Sequence, residues 1–282
     1  MTPIQVMGVL NVTPDSFSDG GRFDDVDRAV ERVAVMLDEG ARCIDVGGES
    51  TRPGAAPIDP DDECRRVLPV LEAVAPMVAA RGARLSIDTR NEHTARQAVA
   101  VGASLLNDVS ASLWKVAADL GVGWVAMHMA GDPRTMQQDP HYDDVVDEVR
   151  GFLVERAGAA LAAGVPEVWV DPGIGFGKTT GHNLDLLAHL DVLVAEGFPV
   201  LVGTSRKRFT GELLARSDAA GRGIGDLADG FGGAPVAVEE RVDASLATAT
   251  WAMVQGARMV RAHDVAVTAR AATIVAGGFP TT

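Results

Sequence analysis

The chain has 282 residues, 47% of them hydrophobic, enough to bury a full core as one large α/β domain or two smaller ones. Its 25 Lys and Arg against 39 Asp and Glu leave a formal net charge of −14. That charge excludes general affinity for nucleic acid or anionic membranes and requires any anionic ligand to meet a local basic cluster. With two cysteines, no basic segment leading into an apolar core at the N-terminus and no run near the roughly 18 apolar residues of a membrane span, we expect a cytoplasmic protein.

Short apolar runs alternate with longer alanine-rich amphipathic segments from end to end. Strands are expected at 4–10, 42–46, 84–87, 104–106, 123–127, 168–170, 200–203 and 258–261. The helix expected at 24–39 carries Val26, Val30, Val33 and Leu37 on one face, with Asp24 or Asp25 placed to cap it. Further helices are expected at 61–80, 92–101, 112–120, 142–163, 183–195, 207–215 with 236–255, and 265–276. No linker divides the chain. Strict alternation implies a parallel sheet with right-handed crossovers, and eight units in this length suit a single (β/α)8 TIM barrel over residues 1–282 better than an open doubly wound sheet.

The residues at or just past the strand ends are Asn11, Asp45, Asp88, Asn107 with Asp108, His128, Asp171, Ser205 with Lys207, and Arg261 with His263. Any one of them is explained as a cap or turn former, but all eight together are not. In a barrel these ends meet at the carboxyl rim, where the long βα loops form the site. The loops at 11–22, 47–60 and 129–141 are too long for simple connectors, and the first two suit mobile lids. A glycine-rich insertion at 217–235 reads as a surface excursion.

The run at 167–178, Glu-Val-Trp-Val-Asp-Pro-Gly-Ile-Gly-Phe-Gly-Lys, joins a strand to a loop whose glycines let the backbone approach something small. It is neither a P-loop, which needs glycine where Pro172 stands, nor a dinucleotide fingerprint, which needs glycine where Lys178 stands. Asp88, Asn107 and Asp171 offer acceptors and one amide, with no histidine pair or cysteine beside them. Such a set suits a planar heterocycle bearing amino and lactam groups better than a metal cluster. Lys207, Arg261 and His263 supply the missing cations, and Ser205 to Lys207 are expected to open a helix whose free amides favour an anion.

The segments at 8–21, 45–54, 86–89, 107–110, 171–178, 203–207 and 261–265, in this order over nearly the whole chain, resemble dihydropteroate synthases. The resemblance implies a folate-pathway transferase joining 6-hydroxymethyl-7,8-dihydropterin diphosphate to 4-aminobenzoate, with release of diphosphate, and a target of sulfonamides. It also implies that Asn11 contacts Mg²⁺; that Asp88, Asn107, Asp171 and Lys207 hold the pterin, with Met127 and Phe176 lining its slot; that Arg52, Arg261 and His263 take the diphosphate; and that Phe17, Thr51, Pro53 and Ser205 frame the aminobenzoate. A homodimer formed through outer helices follows from the same resemblance. The chain departs from the family at Ala111 and Ser112, where two glycines are usual, at Ala262, and in the longer 217–235 insertion. A methyl-transferring pterin barrel and a non-catalytic pterin-binding paralogue are the alternative readings.

Overall fold

The computed structural model describes residues 3–12, 22–49, 57–132, 134–221 and 234–278. Eight parallel strands run β1 (Gln5–Asn11), β2 (Cys43–Gly47), β3 (Arg84–Asp88), β4 (Leu105–Asp108), β5 (Gly123–Met127), β6 (Val168–Asp171), β7 (Leu201–Val202) and β8 (Met259–Ala262). They pair in the order β6-β5-β4-β3-β2-β1-β8-β7. A parallel bridge between Val170 and Val200 brings the two ends together, and Val170 N–H donates to the Pro199 carbonyl at 3.1 Å. The result is a (β/α)8 barrel, as expected. Strand β7 is shorter than the expected 200–203, because Val200 already turns to bridge β6.

Around the barrel lie α1 (Arg22–Asp38), α2 (Pro60–Ala80), α3 (Glu92–Ala100), α4 (Trp114–Leu120), α5 (Val145–Ala162), α6 (Thr180–Ala188), α7 (Leu190–Val194), α8 (Arg208–Gly221), α9 (Val242–Val254) and α10 (Val265–Gly278). Helix α1 starts at Arg22, so Asp24 and Asp25 lie in its first turn and do not cap it. Helix α5 starts three residues later than expected, because Asp144 accepts from Val146 and Asp147 N–H while Tyr142 is drawn away to the Gly177 carbonyl. The single helix expected at 183–195 is two, broken at His189, whose backbone leaves helical geometry. Residues 217–221, expected in the insertion, continue α8 as helix, and the insertion's 222–233 lie outside the described residues. Among the described residues no helix is long and apolar enough to cross a membrane.

Strand alternation sorts side chains between the barrel lumen and the helices. Met7, Cys43, Leu105, Val125, Trp169, Leu201 and Met259 form the apolar plug of the lumen. One step toward the amino-terminal rim, Arg84 pairs with Glu167 at 2.9 Å, and Trp169 donates to the same carboxylate at 2.7 Å. One step the other way, two residues along each strand, stand Asp45, Asn107, Met127, Asp171 and Arg261. The opposite parity packs the main core between sheet and helices, with Trp124 its largest fully buried side chain.

Two polar residues at or just past strand ends fall on that outer side. Asp108, fully buried, accepts from the backbone N–H of Ser110, Ser112 and Leu113, and from the Trp124 indole at 3.1 Å. It seats α4 on the barrel, and the tight turn puts the non-glycine Ala111 at φ +48°. His128 is the other, packed edge-on to Phe152. Asp108→Ala strands these donors, and we expect it to lower unfolding free energy by about 3 kcal/mol in urea titrations. Asp119→Ala, which removes only a solvent-exposed pair with Arg96 from the far end of α4, is the control and should stay within about 0.5 kcal/mol of the parent.

Candidate active site

The carboxyl mouth of the barrel is lined by charged groups that face one another. Asp45, fully buried, accepts from Ser86 Oγ at 2.6 Å, Asn107 Nδ2 at 2.9 Å and Arg261 Nε at 2.7 Å. Arg261 also donates to Asp88 at 2.8 Å, bridging two acids. Burial opposes the guanidinium charge, but Asp45 and Asp88 outweigh it and raise the Arg261 pKa. Burial pushes the Asp88 carboxyl up; Arg261 draws it back, while Asp45, Glu63 and Glu49 add to the rise. Asn107 is fully buried, and its Oδ1 has no partner among the described residues.

Across the mouth, Asp171 ends β6 at 2% exposure and accepts from Gly173 N–H at 2.7 Å. Burial raises its pKa against the pull of Lys207. Lys207 Nζ donates to the Ile174 carbonyl and lies 4.3 Å from the Phe176 ring centroid. Burial lowers its pKa to about 8 despite Asp171. Three acceptors and one ammonium thus share the mouth, with Met127 paired beside Asp171 in the sheet.

The glycine loop after β6 is held by its carbonyls. Lys178, 3% exposed, donates to the carbonyls of Gly173 and Phe176 at 3.1 Å and places Nζ 2.9 Å from His128 Nδ1. Lys207 takes the Ile174 carbonyl, Gln137 that of Gly175 and Tyr142 that of Gly177. Five consecutive carbonyls therefore have side-chain donors. Burial, then the Lys178 charge, drive the His128 pKa down to about 3, so its neutral ring serves as acceptor. Burial lowers Lys178 to about 7, while four acceptors, the His128 carbonyl at 3.4 Å being the fourth, surround its ammonium.

Seventh and eighth strand ends interlock at the rim. Ser205 Oγ lies 3.0 Å from His263 Nδ1 and accepts from His263 N–H. Arg206 pairs with Asp264 through two hydrogen bonds, at 3.1 and 2.6 Å. Here the expected helix start is corrected: α8 begins at Arg208, and Arg206 at φ +59° cannot be part of it. Arg241 ties the Arg206 carbonyl to that of Val236. Arg32 of α1 donates to the His263 carbonyl at 2.9 Å. Asn11 ends β1 at the same rim, paired with Gly47.

Strand ends thus bring Asp88, Asn107, Asp171, Lys207, Arg261, Met127 and Phe176 into one mouth, with Ser205, His263 and Asn11 at its edge. Phe17, Thr51, Arg52 and Pro53 lie outside the described residues. Sequence reasoning noted Asp45 as a strand end without giving it a part in the site, and it overlooked Lys178. The signal for Asp45 was parity: it stands two residues after the lumen residue Cys43.

Gly173 and Gly177 both hold φ +63°, and a Cβ on either would overlap a backbone carbonyl oxygen, of His128 and Ala130 respectively. Gly164 is also left-handed but faces open space. Gly173→Ala should therefore cost roughly 3 kcal/mol or more and Gly164→Ala about 1 kcal/mol, read by urea unfolding.

Residues 7–263 match the family model described as pterin binding enzyme. Dihydropteroate synthase of Mycobacterium leprae is 44% identical, with 98% of this chain and 93% of that protein covered. The mitochondrial folate synthesis bifunctional protein of Arabidopsis thaliana is 42% identical over 95% of this chain, which spans about half of it, 48%. The structure of Xanthomonas albilineans dihydropteroate synthase in complex with 7,8-dihydropteroate superposes with a TM-score of 0.80 at 41% identity, covering 99% of this chain and 95% of that one. The apolar-floored mouth with its three acceptors and one ammonium is thus found in a chain that belongs to the pterin-binding enzymes, in the dihydropteroate synthase family.

Proposed function

We propose that this chain condenses 6-hydroxymethyl-7,8-dihydropterin diphosphate with 4-aminobenzoate to give 7,8-dihydropteroate and diphosphate. The observation that carries the reading is half-buried Asp88 with the buried Asn107 Oδ1 and Asp171, set opposite Lys207. It matches a ring with several N–H donors and one carbonyl. In this assignment the three acceptors take the pterin's hydrogens, Lys207 donates to its carbonyl, and Met127 and Phe176 flank the ring.

Charge development sets the remaining roles. When the carbon–oxygen bond to diphosphate breaks, its electron pair leaves with the diphosphate. His263, Arg52 and Arg261 are assigned to that growing negative charge, Arg261 from its seat between Asp45 and Asp88. The methylene left behind is electron-poor, and Asp88 and Asp171 favour it electrostatically. The arylamine nitrogen then bonds to the methylene and gives up a proton. Ser205, with Phe17, Thr51 and Pro53, is assigned to the aminobenzoate.

Among the described residues no group of three or more His, Cys, Asp or Glu could hold a metal. Mg²⁺ commonly keeps several waters and binds through one or two protein oxygens together with phosphate oxygens, so the lone amide oxygen of Asn11 fits it. Bound there with the diphosphate, Mg²⁺ would supply charge neutralisation on the leaving group. A cytoplasmic location fits the two free cysteines, both buried. A homodimer is supported by exposed Leu184, Val192, Trp251 and Val254 on the adjoining helices α6, α7 and α9.

The deciding assay is diphosphate release from the dihydropterin diphosphate with Mg²⁺. Release that depends on 4-aminobenzoate, with dihydropteroate formed, is expected; tight pterin binding without release would instead mark a non-catalytic pterin binder. Asp171→Ala should lower kcat/KM roughly thirtyfold to a thousandfold with the fold intact by circular dichroism, since a buried ring donor loses its acceptor at a cost of about 2–4 kcal/mol. Lys207 is a cation only below about pH 8. Hence kcat/KM for the pterin substrate should fall as pH rises through about 8, and Lys207→Arg should move that limb upward even as it lowers the rate.

A further inference from the structure

Asp45 stands in the same layer of the mouth as Asn107 and Asp171, directly behind Asn107 Nδ2 and Arg261 Nε. Its position is built, not incidental: both oxygens are engaged, Oδ1 by Ser86 and Oδ2 by Asn107 Nδ2 and Arg261 Nε. An amide such as Asn107 can present either of two faces to a ligand, an acceptor or a pair of donors. A carboxylate accepts only. Because Nδ2 is the atom turned toward Asp45, Oδ1 must face the other way, and that oxygen is buried with no partner among the described residues. A buried acceptor left open is costly unless something donates to it.

We propose that Asp45 is a positioning residue that fixes which face of Asn107 meets the pterin, so that the mouth reads a ring N–H there and rejects a ring nitrogen that carries no hydrogen. The same carboxyl holds Arg261 Nε, so the guanidinium is lodged between Asp45 and Asp88. Ser86 completes the device from β3. Its hydroxyl donates to Oδ1 and, unlike the Arg261 guanidinium, can reverse and accept.

The inference rests on Asn107 binding the pterin, and the two are tested apart. The probe is 6-hydroxymethyl-7,8-dihydropterin, which lacks the diphosphate to which Arg261 is assigned, its binding measured by calorimetry, with KM for 4-aminobenzoate as reference. Asn107→Ala should weaken the probe roughly tenfold to a hundredfold; unchanged binding would refute the assignment of Asn107, whatever Asp45 does. Asp45→Ala should weaken the probe about tenfold with KM for aminobenzoate within about twofold, and should add nothing to Asn107→Ala in the double variant. Asp45→Asn should recover at least about threefold of the loss, because its carbonyl can face Asn107 and Arg261 while its NH₂ donates to a reversed Ser86. Additive losses, or Asp45→Ala binding like the parent, would overturn the proposal. Should the alanine variant not fold, the parent protein answers by itself. The Asn107 side-chain ¹⁵NH₂ signal should stay protected and nearly unmoved when the probe binds, and a large shift would show that Nδ2 meets the ring instead.

Discussion

Everything at the mouth depends on burying charge without leaving it unpaired. Asp45, Asp88 and Asp171 lie beside Arg261 and Lys207 in a lumen whose next layer is apolar. A lone buried carboxylate or ammonium would move its pKa until neutral, whereas interleaved opposite charges hold one another in place. The arrangement has a chemical consequence. Groups already paired and desolvated need little reorganisation when charge develops on a bound substrate, which is the condition for strong electrostatic stabilisation. It also gives the chain, acidic as a whole, one local place suited to an anion.

The glycine loop solves a different problem, that of ordering backbone with no regular ladder. Its carbonyls are satisfied by Lys178 at the loop's own end, by Lys207, and by Gln137 and Tyr142 from the connection between β5 and α5. Alternate glycines at 173, 175 and 177 adopt positive φ, and two of them pass so close to neighbouring carbonyls that no side chain fits. Lys207 is shared between this loop and the mouth. The loop's order and the placement of the ammonium are therefore one structural fact.

Among the described residues three non-glycines hold positive φ, Ala111, Asp139 and Arg206. Ala111 and Arg206 both hold left-handed backbone without being glycine. Each is over-determined by its surroundings: the Ala111 turn by the donors converging on Asp108, and Arg206 by its pair with Asp264 and by Arg241 on its carbonyl. The second brace joins the seventh and eighth strand ends, and so sets Ser205 against His263. The end of the insertion is anchored to the same point, since Arg241 also holds the Val236 carbonyl.

The order of eight strands and helices, the barrel and the family motifs were legible in the sequence, because apolar periodicity and chain order are local properties. The polar strand ends were legible too, but only as a set. Position along a strand does not say which face a side chain takes. Asp108 follows Asn107 by one residue and so turns outward to seat a helix, while Asn107 enters the lumen. Asp45 looked like one more strand end, yet it gathers partners from β3, β4 and β8, contacts spanning up to 216 residues that no local pattern encodes. Helix limits at His189, Val145 and Arg208 likewise followed from hydrogen bonds made across the fold. The sequence by itself determined which residue types stand at the barrel rim; the closure of the sheet decided which of them face one another, because only closure brings distant strands within hydrogen-bonding reach.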